Sequence, residues 1–123
     1  MLADMAAASF TTVRTAEGTV LCERCEIPKS SFARMRGLLG RDSLEPGTGM
    51  LIDAAPSVHM FFMRFPIDVV FLDRERTVVG VRHGLRPWRV AGVRRAVAAL
   101  ELPAGAAAGI EEGDVLVLED LEG

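Results

Sequence analysis

The fold is decided by the stretch PIDVVFLD, residues 66–73, where every position from Ile67 to Leu72 is apolar except one. A strand that is apolar on both faces is typical of the centre of a sheet covered on both sides. The exception is Asp68, and a carboxylate in such a place is costly unless it is paired or accepts hydrogen bonds. We therefore predict a central, doubly covered strand that carries a buried and partnered aspartate.

Short apolar segments separated by turn residues lie on both sides of this strand. They predict about seven strands in all, at residues 10–13, 19–27, 50–52, 67–73, 77–82, 96–102 and 115–118. A segment that begins at Ser30 or Ser31 and stops at Gly40 predicts one helix, because its apolar residues recur at near-helical spacing. The predicted fold class is α+β, with a compact, barrel-like, mostly antiparallel sheet and one main α-helix.

The length of 123 residues fits a single domain over residues 1–123, with residues 1–9 as a disordered extension. No basic residue precedes the small apolar residues at the amino terminus, so the sequence lacks the charged start of a secretory signal, and we expect a cytoplasmic protein. The apolar runs are too short to cross a bilayer, and no membrane partner is expected. A net charge of −3 argues against nucleic acid as a partner.

The charges are distributed unevenly along the chain. The segment from Arg74 to Arg95 holds seven arginines and one acid, whereas Glu101 to Gly123 holds seven acids and no base. One interpretation is a surface composition biased towards arginine. The other is an arginine-rich face that meets an anion, because the guanidinium group offers a planar fork of donors to carboxylate or phosphate.

The candidate ligand-binding residues are those whose side chains suit an anion-binding cleft around the central aspartate. They are Arg36, Arg41, His59, Arg64, Asp68 and Trp88. Arginines near the end of the predicted helix would neutralise Asp68, and Trp88 lies on a Gly/Pro loop between arginines, where binding surfaces are common. The leading hypothesis is a non-catalytic binding or accessory module for an anionic small molecule or a carboxylate-bearing peptide.

Other interpretations of the same residues remain open. Asp68 could serve only as a structural tie to an arginine, and His59 as an ordinary core or rim residue. An enzyme would use His59 and Asp68 as acid–base groups on a substrate held by the arginines. A third hypothesis is a protein-interaction domain that docks through the Arg74–Arg95 face. No common catalytic motif is present, which argues against an enzyme, and no cofactor or metal is predicted.

Cys22 and Cys25 form a C-x-x-C motif, which elsewhere indicates a zinc or redox site. In a regular strand, residues three apart point to opposite faces, so the two thiols would lie too far apart for a disulfide. We therefore expect small core residues, with metal binding or redox chemistry as the alternatives.

Three stretches carry a resemblance to a known family. They are RGLLGR at 36–41, SVHMFFMRFPIDVVFLD at 57–73, and LELPAG at 100–105 with Gly109-Ile110 and Gly113-Asp114. In this order and spacing they resemble the domain-of-unknown-function 192 family of small bacterial and archaeal proteins, from about Gly18 to Leu118. The resemblance implies a small α+β fold with a barrel-like sheet and no established activity. The Gly113-Asp114 turn is also similar to that of cradle-loop barrels, whereas the cysteines are not part of the family's general pattern.

Overall fold

The computed structural model describes residues 8–30 and 37–120. Nine strands are formed in this part of the chain: β1 (Ala8–Thr15), β2 (Val20–Pro28), β3 (Thr48–Asp53), β4 (Ser57–His59), β5 (Ile67–Leu72), β6 (Val78–Leu85), β7 (Val90–Gly92), β8 (Ala98–Pro103) and β9 (Leu116–Asp120). Each of the seven predicted strands has a counterpart among them. The short strands β4 and β7 are additional to the prediction.

Seven of these strands form one sheet in the order β6-β5-β8-β3-β2-β1-β9, and β4 pairs with β7 in a separate two-stranded ribbon. The pairings in both sheets are antiparallel except β2 with β3, which is parallel. The central strand β5 is buried at all six positions, because β6 and β8 flank it and both of its faces are covered. The sequence therefore predicted the position of β5 correctly.

The sheet curls so that its two edge strands, β6 and β9, meet near their first residues. A bridge joins Thr77 to Val115, the amide of Val78 donates to the carbonyl of Asp114 at 2.8 Å, and that of Leu116 donates to Arg76 at 2.9 Å. Partial closure satisfies edge groups that would otherwise be free to pair with another chain. The barrel-like, mostly antiparallel sheet thus agrees with the prediction.

Alternate residues of the central strands point into two separate apolar clusters. The inner cluster lies on the enclosed face, because it draws side chains from β1, β6 and β9 as well as from the centre. The outer cluster lies on the opposite face of β3, β5 and β8 and includes residues of the β4–β7 ribbon and its loops. Thus Val70 and Leu72 belong to the inner cluster, whereas Ile67, Val69 and Phe71 belong to the outer one.

The α+β class and its main helix are wrong for the described part of the chain, which contains strands and turns but no helix. Most of the predicted helix falls on residues 31–36, which lie outside the described residues. Residues 37–40 form a turn, because Gly37 and Gly40 have φ angles of 52° and 84°, in the left-handed region that ends a helix. Within 8–30 and 37–120, there is accordingly no helix able to span a membrane. The cytoplasmic location stays a prediction.

Asp68 is fully buried on the inner face of β5, and backbone amides satisfy its carboxylate. One oxygen accepts from Gly84 at 2.8 Å, and the other accepts from Gly105 at 3.0 Å and from Ala107 at 2.9 Å. The predicted tie to an arginine is not formed by any described arginine. Backbone amides take the place of an arginine as donors. The end of β6 and the turn that follows β8 lie beside β5, so N–H groups of both segments point at the carboxylate.

We predict that Asp68→Ala lowers the free energy of unfolding by at least about 3 kcal/mol, because three buried amides lose their acceptor at roughly 1–3 kcal/mol each. Urea denaturation followed by circular dichroism measures the loss. The matched control is Asp42→Ala, because the Asp42 carboxylate is exposed and, among the described residues, bonds only to the exposed Arg64. A loss for Asp68→Ala no larger than that of the control would contradict the structural role of Asp68.

Candidate functional site

A cleft of about 510 Å³ opens between the outer face of the sheet and the β4 ribbon. We call it the outer cleft. Its walls are largely apolar and include Leu38, Leu39, Ile52, Met60 and Met63. Its polar groups come from Asp53, Ser57, His59 and Glu101. Concave, mostly apolar sites with a few polar groups are where small ligands usually bind.

Glu101 enters the outer cleft from the centre of the sheet. It lies on β8 opposite Met50 of β3 and Val69 of β5, and both neighbours belong to the outer cluster. Within the part of the chain that the structure describes, its carboxyl group makes no hydrogen bond or ion pair. An acid is therefore placed among apolar side chains, beside an open cavity and without a partner in residues 8–30 and 37–120.

Burial raises the pKa of Glu101 to about 7, and the positive charge of Arg41 only partly opposes the shift. Removing a carboxyl group from water penalises its charged form, so the acid holds its proton to higher pH than an exposed glutamate does. Near neutral pH, Glu101 is therefore divided between its protonated and ionised forms. Titratable groups of this kind are concentrated at functional sites, although structural sites also produce them.

His59 lies at the rim of the outer cleft, at the end of β4. Its Nδ1 accepts a hydrogen bond from the amide of Phe61 at 3.3 Å. In the neutral imidazole the proton is then on Nε2, which is left free to donate to a ligand. Ser57 lies two residues before His59 on β4 and lines the same cleft.

An exposed group of rings continues outward from His59. The rings of Phe61, Phe62 and Trp88 form what we call the aromatic platform, in which Trp88 lies 5.9 Å from Phe61 and 4.8 Å from Phe62. Phe62 is 70% and Trp88 58% exposed, and both have positive φ angles, of 65° and 71°. Strained backbone at exposed aromatic residues is costly, and such strain clusters at functional positions.

Backbone bonds between the two loops hold the platform in place. The amide of Trp88 donates to the carbonyl of Met60 at 2.7 Å. The amide of Met60 in turn donates to the carbonyl of Arg89, also at 2.7 Å. The loop that carries Trp88 is therefore fixed against the cleft wall.

The predicted ligand-binding residues do not converge on one cleft. Arg41 pairs with Glu26 at 3.1 Å and lines a second cleft, and the exposed Arg64 pairs with Asp42 at 2.6 Å. Asp68 is sealed on the inner face, whereas His59 lies at the outer cleft, so the two cannot act on one substrate. Arg36 lies outside the described residues. Of the predicted set, His59 lines the outer cleft and Trp88 lies beside it.

Sequence reasoning missed Glu101, although the residue interrupts the apolar run Ala98-Ala99-Leu100-Glu101-Leu102. The alternation of β8 suggests a strand with one solvated face, where an acid needs no explanation. Only the β4–β7 ribbon turns that face into the floor of a cleft, and such short strands give almost no periodic signal.

We predict that Glu101→Gln removes a pH dependence of stability. In the unfolded chain Glu101 loses its proton near its ordinary pKa of 4.5, whereas the folded chain holds the proton to about 7. Protonation therefore favours the fold, and this contribution is lost as pH rises through that window. The glutamine variant should gain stability over the natural chain between about pH 5 and about pH 8, by at most about 3 kcal/mol.

Urea denaturation at the two pH values measures this difference, and the exposed Glu112→Gln is the control. If the free energy of unfolding of Glu101→Gln and of the natural chain changed in parallel between the two pH values, the carboxyl group of Glu101 would be an ordinary, solvated one.

Solved structures similar to this fold come from two bacteria. A protein of unknown function from Novosphingobium aromaticivorans DSM 12444 superposes with a TM-score of 0.74 and 26% identity, over 89% of this chain and 84% of that one. A candidate transcription regulator from Sinorhizobium meliloti 1021 gives a TM-score of 0.74 over 91% of this chain and 94% of that one. Its identity of 24% supports a common fold alone.

Curated relatives come from archaea. A UPF0127 protein of Thermococcus sibiricus is 35% identical over 81 residues, or 63% of this chain and 52% of the relative. A UPF0127 protein of Pyrococcus abyssi is 59% identical over 34 residues, or 28% of each chain. The matched segments thus span about half or less of these relatives. The family model DUF192, described as Uncharacterized ACR, matches residues 12–118. The chain therefore belongs to the DUF192 family, whose function is uncharacterised.

Proposed function

We propose that this chain is a binding module whose outer cleft holds a small ligand with an apolar body and an amine head group. The observation that carries the proposal is the carboxyl group of Glu101, which faces the cleft without a hydrogen-bond partner among the described residues. Glu101 is half-buried and its carboxyl group is open to the cleft, so a ligand that donates to it makes a hydrogen bond away from bulk water, where such a bond is stronger.

The shape of the outer cleft suits a small molecule. Its volume of about 510 Å³ lies in the range of small-ligand sites, and apolar residues outnumber polar ones in its lining. Met60 and Met63 can adjust to different apolar shapes, because their side chains are unbranched and flexible. His59 at the rim offers Nε2 as a second polar contact.

The charge of the cleft favours a cationic head group. Asp53 and Glu101 line the cleft, whereas its lining includes no described arginine or lysine. Asp53 is partly neutralised by Arg76 at 3.4 Å, whereas Glu101 has no ion pair with any described residue. An amine would stabilise the ionised carboxylate, whereas a carboxylate ligand would meet like charge. The anionic ligand expected from the arginines stays a prediction, as does docking through the Arg74–Arg95 face.

The aromatic platform adds a larger contact surface beside the cleft. Its rings continue from His59, which belongs to both features. A ligand longer than the cleft could therefore extend its apolar part over Phe61 and Trp88. Rigid, exposed aromatic side chains provide contact area at a small cost in conformational entropy.

Three probes with the same six-carbon tail test the head-group preference: n-hexylamine, n-hexanoate and n-hexanol. Methyl NMR of methionine-labelled protein reports binding through Met60 and Met63. We expect hexylamine to shift both signals with a dissociation constant on the order of millimolar, and hexanoate to bind at least about tenfold more weakly. Hexylamine affinity should rise with pH through about 7, because the ionised form of Glu101 binds the amine.

The control is Glu101→Gln, in which hexylamine and hexanol should bind about equally. Hexanoate binding as tightly as hexylamine would contradict the proposed head group and favour the anionic alternative. Shifts that were unchanged in Glu101→Gln would show that Glu101 makes no contact with the ligand.

A further inference from the structure

A bulge in β2 brings the two cysteines to the same side of the sheet. In the pairing with β1, Cys25 lies opposite Thr11 and Cys22 lies opposite Val13, so a two-residue step on β1 matches a three-residue step on β2. The extra residue resets the alternation of side chains. Both cysteines therefore belong to the inner cluster, and the expectation that they point to opposite faces is wrong.

The two cysteines are fully buried in the inner cluster, and each one shifts the pKa of the other. Their other polar contacts are long, since Cys22 Sγ lies 3.6 Å from the carbonyl of Gly47 and Cys25 Sγ 3.9 Å from that of Glu26. Both cysteines are free thiols. No group of three or more His, Cys, Asp or Glu side chains in residues 8–30 and 37–120 is arranged to hold a metal ion. The pair is therefore better suited to chemistry between its own sulphur atoms than to a metal site.

The contact makes the two sulphurs chemically different. The neighbouring Cys25 lowers the pKa of the Cys22 thiol, whereas Cys22 and burial raise the pKa of the Cys25 thiol. A thiolate is the attacking species in thiol–disulfide exchange. Cys22 Sγ also packs against Gly49, which lines a second cleft, so we assign Cys22 as the nucleophile and Cys25 as the thiol that resolves the intermediate.

Gly49 separates Cys22 from the second cleft, which has a volume of about 310 Å³ and is lined by Gly49 together with Arg24 and Arg41. A methyl group at Gly49 would come within 3.1 Å of Cys22 Sγ, so the sulphur packs directly against this backbone. Because Cys22 is fully buried, a reagent in the second cleft reaches its sulphur only through local opening of the chain at Gly49. The charges of this cleft are mixed, because Glu26 and Glu45 line it as well and Arg41 pairs with Glu26.

We propose that Cys22 and Cys25 are a redox pair that closes to an intramolecular disulfide by exchange with a low-molecular-weight disulfide such as oxidised glutathione. Cys22 attacks one sulphur of the reagent and forms a mixed disulfide, and one glutathione leaves. Cys25 then attacks Cys22 Sγ, and the second glutathione leaves. Two electrons pass from the cysteines to the reagent, and two protons end on the released glutathiones.

Tryptic mapping of the full chain gives a direct readout, because Arg24 lies between the cysteines. After equilibration in glutathione buffers, acid quenching and alkylation, trypsin releases peptides 15–24 and 25–29, which remain joined only if the disulfide has formed. The reference is a synthetic peptide of residues 15–29. We expect the equilibrium constant for closure to be at least about tenfold larger in the folded chain, because the bulge holds the sulphurs together.

Single variants test the order of attack. Cys25→Ser should accumulate glutathione on Cys22, whereas Cys22→Ser should react at least about tenfold more slowly. The reverse order of rates would overturn the assignment of Cys22 as nucleophile. A closure constant no larger than that of the peptide, or glutathione adducts without the joined peptides, would overturn the redox pair itself. The closure constant is measured on the natural chain, so this measurement does not depend on the folding of either variant.

Discussion

The structure depends on one buried carboxylate that gathers three backbone amides. Asp68 lies on the central strand, and its carboxylate oxygens accept hydrogen bonds from the amides of Gly84, Gly105 and Ala107. These bonds hold the end of β6 and the turn after β8 against the central strand. An ionised group fully removed from water is stable only when its oxygens are satisfied. The same bonds that make the aspartate tolerable therefore fix two chain segments on the inner face, and with them the position of β5 between both clusters.

Two acids on neighbouring strands show how the faces of this sheet differ. On the paired strands β5 and β8, Asp68 lies opposite Leu102. Glu101, which precedes Leu102 on β8, lies opposite Val69. The register places one acid on the inner face with three donors and the other on the outer face with none among the described residues. Asp68 consequently serves the fold, whereas Glu101 is left available for a ligand. The burial that raises the pKa of Glu101 destabilises the fold when the acid ionises, and function can account for such a cost.

The sequence predicted the central strand and its buried acid because an aspartate within an apolar run needs a local explanation. It could not identify the partners of Asp68, since backbone amides come from turns and have no residue-specific signature. The cysteine geometry was missed because one bulge reverses the alternation on which the prediction rested. Glu101 was missed because its burial depends on the β4–β7 ribbon, whose strands have only three residues each.

Hydrogen exchange at three amides tests the central claim most directly. Gly84 is an exposed residue near the end of β6 and Gly105 is an exposed residue in the turn after β8, so their amides would exchange within seconds to minutes if water could reach them. If Asp68 accepts from them, the amides of Gly84, Gly105 and Ala107 should be protected together, close to the level of β5 itself. Exchange at the rate of an unprotected turn, with β5 still protected, would show that the carboxylate does not hold these segments.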